Sequence, residues 1–148
     1  MESVKHRTVT ANGIRQHYID AGQGPAVVLL HGFPFTNYTW RDQIPELSKK
    51  YRVIAPDLRG YGETDKPVTG YDKRNMAKDL RELMRALKID KIALVGHDRG
   101  GVWLPGLQKI IPTPSIVSSS STTCRRGLSQ EISIFRRWPR PIGCFCFI

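Results

Sequence analysis

An α/β architecture, with a mostly parallel sheet carrying helices on both faces, is predicted for residues 1–101 by three observations. Ala26–Leu30 and Lys91–Val95 are short apolar runs, the pattern of strands covered on both sides. Between them, Met76, Leu80, Leu83, Met84 and Leu87 recur at the spacing of one helix face, with charged residues opposite. Strand and helix signals then alternate as hairpin, strand, helix, strand, helix, strand, an order that calls for right-handed crossovers between parallel strands. With 148 residues and 40% hydrophobic content, the chain suffices for one domain with a substantial core.

Residues 4–10 and 14–19 read as two strands joined at Asn12-Gly13, a pair suited to the positive backbone angles of a hairpin turn. Asp20 to Pro25 is a loop, and Ala26–Leu30 delivers His31-Gly32-Phe33-Pro34 at its carboxyl end, where ligands collect in open α/β sheets. His31, crowded by glycine and proline, reads as structural rather than as a base. Tyr38–Leu47 is expected as a short helix interrupted at Pro45, and Tyr51–Ala55 as the next strand. In the loop that follows, Asp57 has the appearance of a catalytic acid, but Asp57 and Arg59 are better read as tying the loop together by local hydrogen bonds. Tyr71–Lys88 is the clearest helix, and its apolar stripe is core.

The chemistry centres on Lys91 to Gly101. An apolar strand running into Gly96-His97-Asp98-Arg99-Gly100 is a strand-to-helix corner at which the central residue takes a strained conformation and stands clear of the sheet. Gly96 and Gly100 give it room. Asp98 occupies the position usual for serine, and a carboxylate there attacks an sp3 carbon to form an ester. The backbone amide near Phe33 is expected beside the corner, where it stabilises developing negative charge.

Three motifs, HGFPFTNYTW, PDLRGYGETDKP and LVGHDRGG, together resemble the α/β-hydrolase superfamily over about a hundred residues, and within it the haloacetate dehalogenases and related epoxide hydrolases. The resemblance implies the N-terminal part of that fold, Asp98 as nucleophile, and Phe33 and Arg99 stabilising the oxyanion or departing halide. It also implies that Arg99, standing where tryptophan is typical of haloalkane dehalogenases and many epoxide hydrolases, grips the substrate carboxylate with its guanidinium fork. His31, Gly32, Pro34, Gly96, His97 and Gly100 then shape the loop and the corner. The expected ancestral reaction is dehalogenation of a 2-haloacid such as haloacetate; the alternative is an epoxide hydrolase, whose cap carries tyrosines that protonate the epoxide oxygen.

The sequence departs from this pattern after the corner. Turnover requires a histidine and an acid that follow the nucleophile in chain order, yet the four histidines are His6, His17, His31 and His97. A second arginine, expected four residues after Asp98, is Val102. Residues 102–148 hold all three cysteines and half of the ten prolines, with Pro105 inside the expected helix. They are expected to be irregular, aberrant and unrelated to the family, leaving the last strand of the sheet with an uncovered edge.

The genetic code suggests a cause. Val102–Val117, back-translated with free third bases and read in the shifted frame, permits R-L-A-T-R-F-A-K-D-Y-P-H-A-V-D-R, an amphipathic segment resembling the family's helix after the corner. Loss of one nucleotide near the Gly101 codon is therefore expected, and the chain as written is expected not to turn over. From another class, the rival reading is a non-catalytic fragment or basic binding module.

The formal net charge is +10, but residues 1–101 mix 17 Lys/Arg with 12 Asp/Glu, and the excess per residue is concentrated in the tail, 6 against 1. No aromatic interleaving or recognition motif accompanies it, which argues against nucleic acid as a partner. The cysteines lack zinc-ligand spacing, so neither metal nor cofactor is expected. A polar N-terminus and the absence of a long apolar run point to a cytoplasmic protein without membrane contact. The expected partner is a small-molecule substrate; oligomeric state is not indicated.

Overall fold

A computed structural model of the chain describes residues 4–98 in full and the backbone of residues 145–147. Six strands form one sheet in the order β1-β2-β4-β3-β5-β6. β1 (Lys5–Ala11) and β2 (Ile14–Ala21) make the antiparallel hairpin, and Asn12 and Gly13 at its turn both have positive φ, 50° and 76°. β3 (Ala26–Leu30) lies between β4 (Arg52–Pro56) and β5 (Ile92–His97) and pairs in parallel with each. Parallel pairing therefore occupies the centre of a mixed sheet, while β2 meets β4 antiparallel.

Strand alternation divides the core into two layers. Val28, Leu30, Ile54 and Leu94 face α2 (Lys73–Ala86), where Met76, Ala77, Leu80, Leu83 and Met84 cover them. The intervening Val27, Leu29, Val53, Ala55 and Val95 face the other layer and meet Trp40, Ile44 and Leu47. Each fully buried Leu or Ile contributes about 1.5–3 kcal/mol, and Leu29, Ile54, Leu83 and Leu94 are at most 0% exposed.

α2 is shorter than the predicted Tyr71–Lys88 because both ends have identifiable stops. Asp72 caps the start by accepting from the Asn75 amide, and Lys88 beyond the end has φ 56°. The segment expected as one helix interrupted at Pro45 is instead a 3-10 turn at Asn37–Trp40 and a separate turn, α1, at Ile44–Leu47. Pro45 lies in the first turn of α1, where its missing N–H costs no helical bond, so it starts this element rather than breaking one.

Within the tail, expected to be irregular, Phe145–Phe147 forms β6 and pairs antiparallel with Val95–His97. The edge of β5 expected to be open is thus covered over three residue pairs, because any extended backbone satisfies an exposed ladder. The predicted features of residues 99–144, including Arg99, Gly100, Val102 and the shifted-frame segment, lie outside the described residues. Among the described residues no helix is long and apolar enough to cross a membrane.

Candidate active site

The register of β3 and β5 builds the site. Leu30 lies opposite Gly96, so the chain leaving β3 through His31-Gly32-Phe33 runs beside His97-Asp98. β5 continues through Gly96 and His97, two residues beyond its predicted end, and presents Asp98 directly at its carboxyl end. Asp98 is exposed and has φ 53°, in the left-handed region that costs a non-glycine residue about 1–3 kcal/mol. The strained corner is therefore present, with a carboxylate at its tip.

Gly32 is required by the close approach of the two chains. A Cβ there would lie 2.6 Å from Asp98 Cβ, 2.8 Å from Asp98 Oδ2 and 2.8 Å from the His97 carbonyl oxygen. With glycine in place, the Phe33 amide donates to Asp98 Oδ2 at 3.1 Å. Among the described residues Oδ1 accepts no hydrogen bond, which leaves it the oxygen suited to attack. Phe33 and Pro34 are joined by a cis peptide bond, and the Phe35 amide closes a turn onto the Gly32 carbonyl at 3.0 Å. Phe33, Phe35 and Tyr38 are exposed, and the Phe35 ring lies 6.3 Å from that of His97. The carboxylate is thus bordered by apolar surface.

His31 has no exposed surface, and both of its ring nitrogens are engaged. The Leu58 amide donates to Nε2 at 3.0 Å, which fixes Nδ1 as the protonated nitrogen donating to the Gly32 carbonyl, also at 3.0 Å. Burial lowers its pKa, so the neutral ring persists; it clamps the loop after β3 to the loop after β4.

The Asp57 carboxylate is consumed by structure. It accepts from the Asn37 and Glu63 amides at 2.8 and 3.2 Å and from His17 Nδ1 at 2.7 Å, while Thr64 Oγ1 donates to its carbonyl at 2.8 Å. His17 Nε2 in turn shares a 3.1 Å hydrogen bond with His6 Nδ1. This acid–histidine pair invites comparison with a catalytic couple, but β2 and β5 are separated by β4 and β3. Three strand spacings of about 4.8 Å put His17 far out of reach of Asp98.

Arg59 does more than tie its own loop. Its Nε and Nη2 donate to the two carboxylate oxygens of Asp79 on α2, each at 2.7 Å, and both residues are buried. Those hydrogen bonds, foremost, raise the Arg59 pKa. Asn12 at the hairpin turn also donates to Asp79 Oδ1, at 2.6 Å. The sequence signal for this junction was Asp79 itself, an acid three residues after Met76 on the inward side of an amphipathic helix.

Among the described residues no group of histidine, cysteine or acidic side chains is arranged to hold a metal. Of the predicted site residues, the fold brings together Gly32, Phe33, Gly96, His97 and Asp98, with His31 and Pro34 beneath and beside them. Arg99 and Gly100 lie outside the described residues.

A family model described as the alpha/beta hydrolase fold matches residues 25–103. A soluble epoxide hydrolase from Corynebacterium sp. (strain C12) is 52% identical over 98 residues, covering 66% of this chain and 34% of the relative. A fluoroacetate dehalogenase from Burkholderia sp. is 44% identical over 105 residues, covering 68% and 34%. An epoxide hydrolase from Caballeronia sordidicola aligns over 139 residues at 40% identity, 90% of this chain and 41% of the relative. The crystal structure of an epoxide hydrolase from Vigna radiata superposes with a TM-score of 0.71 at 42% identity, covering 74% and 35% of the two chains. The chain spans about a third of the length of the first curated relatives it matches.

Proposed function

We propose, from the premise that the chain belongs to the alpha/beta hydrolase fold family, that its chemistry is that of an aspartate-nucleophile epoxide hydrolase. The observation that carries this reading is Asp98 at φ 53°, exposed, with Oδ2 held by the Phe33 amide. That arrangement serves an epoxide and a haloacid equally, and the relatives favour the epoxide. Epoxide hydrolases reach 52% identity, against 44% for the fluoroacetate dehalogenase. The 2-haloacid reading predicted first is therefore placed second.

In the first step Oδ1 forms a bond to an epoxide carbon while the carbon–oxygen bond of the ring breaks, and the freed alkoxide oxygen takes a proton from solvent water. In the second, water adds to the ester carbonyl. Negative charge develops on its oxygen, beside the Phe33 amide, and collapse expels the diol and restores the carboxylate. The water requires a base. All four histidines lie within the described residues; His31 is buried, His17 and His6 are strands away, and His97 precedes the nucleophile in the corner itself. Within this sequence no histidine follows Asp98, so residues 1–148 by themselves are proposed to carry ester formation without the base of the second step.

Haloacid dehalogenation stays as the second reading because of Arg99, whose guanidinium suits a carboxylate-bearing substrate. Residues 102–148 are proposed to result from one lost nucleotide near the Gly101 codon. Resequencing the gene across Asp98–Val117 tests that point: an additional base there supports it, and an unchanged reading overturns it. The protein read through in the restored frame separates the two substrates. Hydrolysis of a styrene-type epoxide well above release of halide from fluoroacetate or chloroacetate is expected; the reverse order returns the haloacid reading to first place.

A further inference from the structure

At the end of the sheet opposite Asp98 lies a cleft of about 530 Å³. It is lined by Lys5 and Arg7 of β1, Asp20 and Ala21 of β2, Arg52 of β4 and the loop residues Gly22, Gln23 and Gly24. Arg52 donates through Nε and Nη2 to Asp20 Oδ1 and Oδ2 at 3.1 and 2.9 Å, and Arg7 Nε approaches the same Oδ2 at 3.4 Å. One carboxylate thus holds two guanidiniums side by side. Those hydrogen bonds, with Asp20 first among the causes, raise the Arg52 pKa. The Lys5 ammonium makes no ion pair or hydrogen bond among the described residues.

Three cations and one anion leave the cleft with two positive charges, and neither guanidinium spends all its donors on Asp20: the Nη groups of Arg7 and Nη1 of Arg52 are not used there. Like charges gathered on a single acid repel, and an added dianion relieves that repulsion while taking up the remaining planar donors. The cleft lacks the aromatic and aliphatic lining of a site for an apolar molecule. Its charge and its planar donors match a phosphate group.

We propose that this cleft is an oxyanion-binding site, selective for a phosphate dianion, in which Asp20 is a positioning residue for Arg7 and Arg52. The site is independent of the hydrolytic chemistry. Strands of five to seven residues, at about 3.3 Å each, separate it from Asp98.

The test is titration of inorganic phosphate into the full chain at pH 7.5, with sodium chloride holding ionic strength constant, followed by calorimetry and by the amide shifts of Gly22, Gln23 and Gly24. Saturable one-to-one binding is expected, with Arg7→Gln and Lys5→Gln each weakening it about tenfold. Asp20→Asn separates positioning from charge. It raises the cleft's charge, yet it is expected to weaken binding because the guanidiniums lose their anchor. Glycerol 3-phosphate binding more tightly than phosphate marks a monoester as the ligand; equal binding marks the free ion. The proposal is overturned if phosphate does no more than chloride, if the shifts map elsewhere, if Arg7→Gln and Lys5→Gln bind as the parent does, or if Asp20→Asn binds more tightly.

Discussion

Gly32 lies so close to Asp98 that it does not tolerate enlargement. Gly32→Ala puts a methyl 2.6 Å from Asp98 Cβ and 2.8 Å from two oxygens, so the corner must open. A loss of about 2 kcal/mol in stability and of most reaction at Asp98 is expected, measured by urea denaturation and by epoxide consumption. His31 carries a pH dependence. Burial lowers its pKa below 6.5 in the folded chain, so as pH falls through 6.5 the unfolded chain binds the proton first and stability declines. Above that pH the contribution is fully present. The urea midpoint should drop between pH 7.5 and 5.5, and His31→Asn should remove part of that slope; an unchanged slope contradicts the assignment. Glycine before Phe33 and an acid at the corner were legible from type and spacing, as was the structural role of His31. The tautomer was not, since it depends on the Leu58 amide, which arrives from another strand's loop.

Among the elements, α2 is bound to the sheet by its apolar stripe and by one buried ion pair. Arg59→Ala leaves the Asp79 carboxylate buried without its cation, which costs about 3–5 kcal/mol. Asn12 alone does not replace a guanidinium. Replacing both partners by apolar residues, Arg59→Met with Asp79→Leu, should recover most of that loss in urea denaturation, because it is the unpaired charge that is penalised. Equal destabilisation in single and double variants would contradict this account. All five predicted strands begin within one residue of their predicted starts, because continuous apolar runs and Asn-Gly leave little ambiguity. β5 extends further, through Gly96 and His97, since strand pairing with Leu30 outweighs the weak strand preference of glycine. Pro45 was misread because a proline inside a helix and one in its first turn look alike until the preceding turn is seen. The partnership of Arg59 with Asp79 joins residues twenty positions apart: Asp79 on the inward side of α2 marks one end of it, but local spacing does not name the partner.

For the molecule as a whole, the proposed nucleophile corner stands on a two-layered core drawn from residues 18–95, and no histidine follows the corner in this sequence. In the proposed chemistry the first step needs the strand, the corner, the Phe33 amide and a proton from solvent; the second needs a base that the four histidines of this sequence do not supply. If residues 1–148 carry only the first step, that chemistry is recorded as a stable ester. The direct measurement is the intact mass of the chain after incubation with styrene oxide, followed by peptide mapping. One added epoxide per chain, located on Asp98 and missing from Asp98→Asn, is the predicted result. An adduct on another residue, no adduct at all, or diol released over many equivalents would contradict the assignment of Asp98 as a nucleophile that attacks once and stalls.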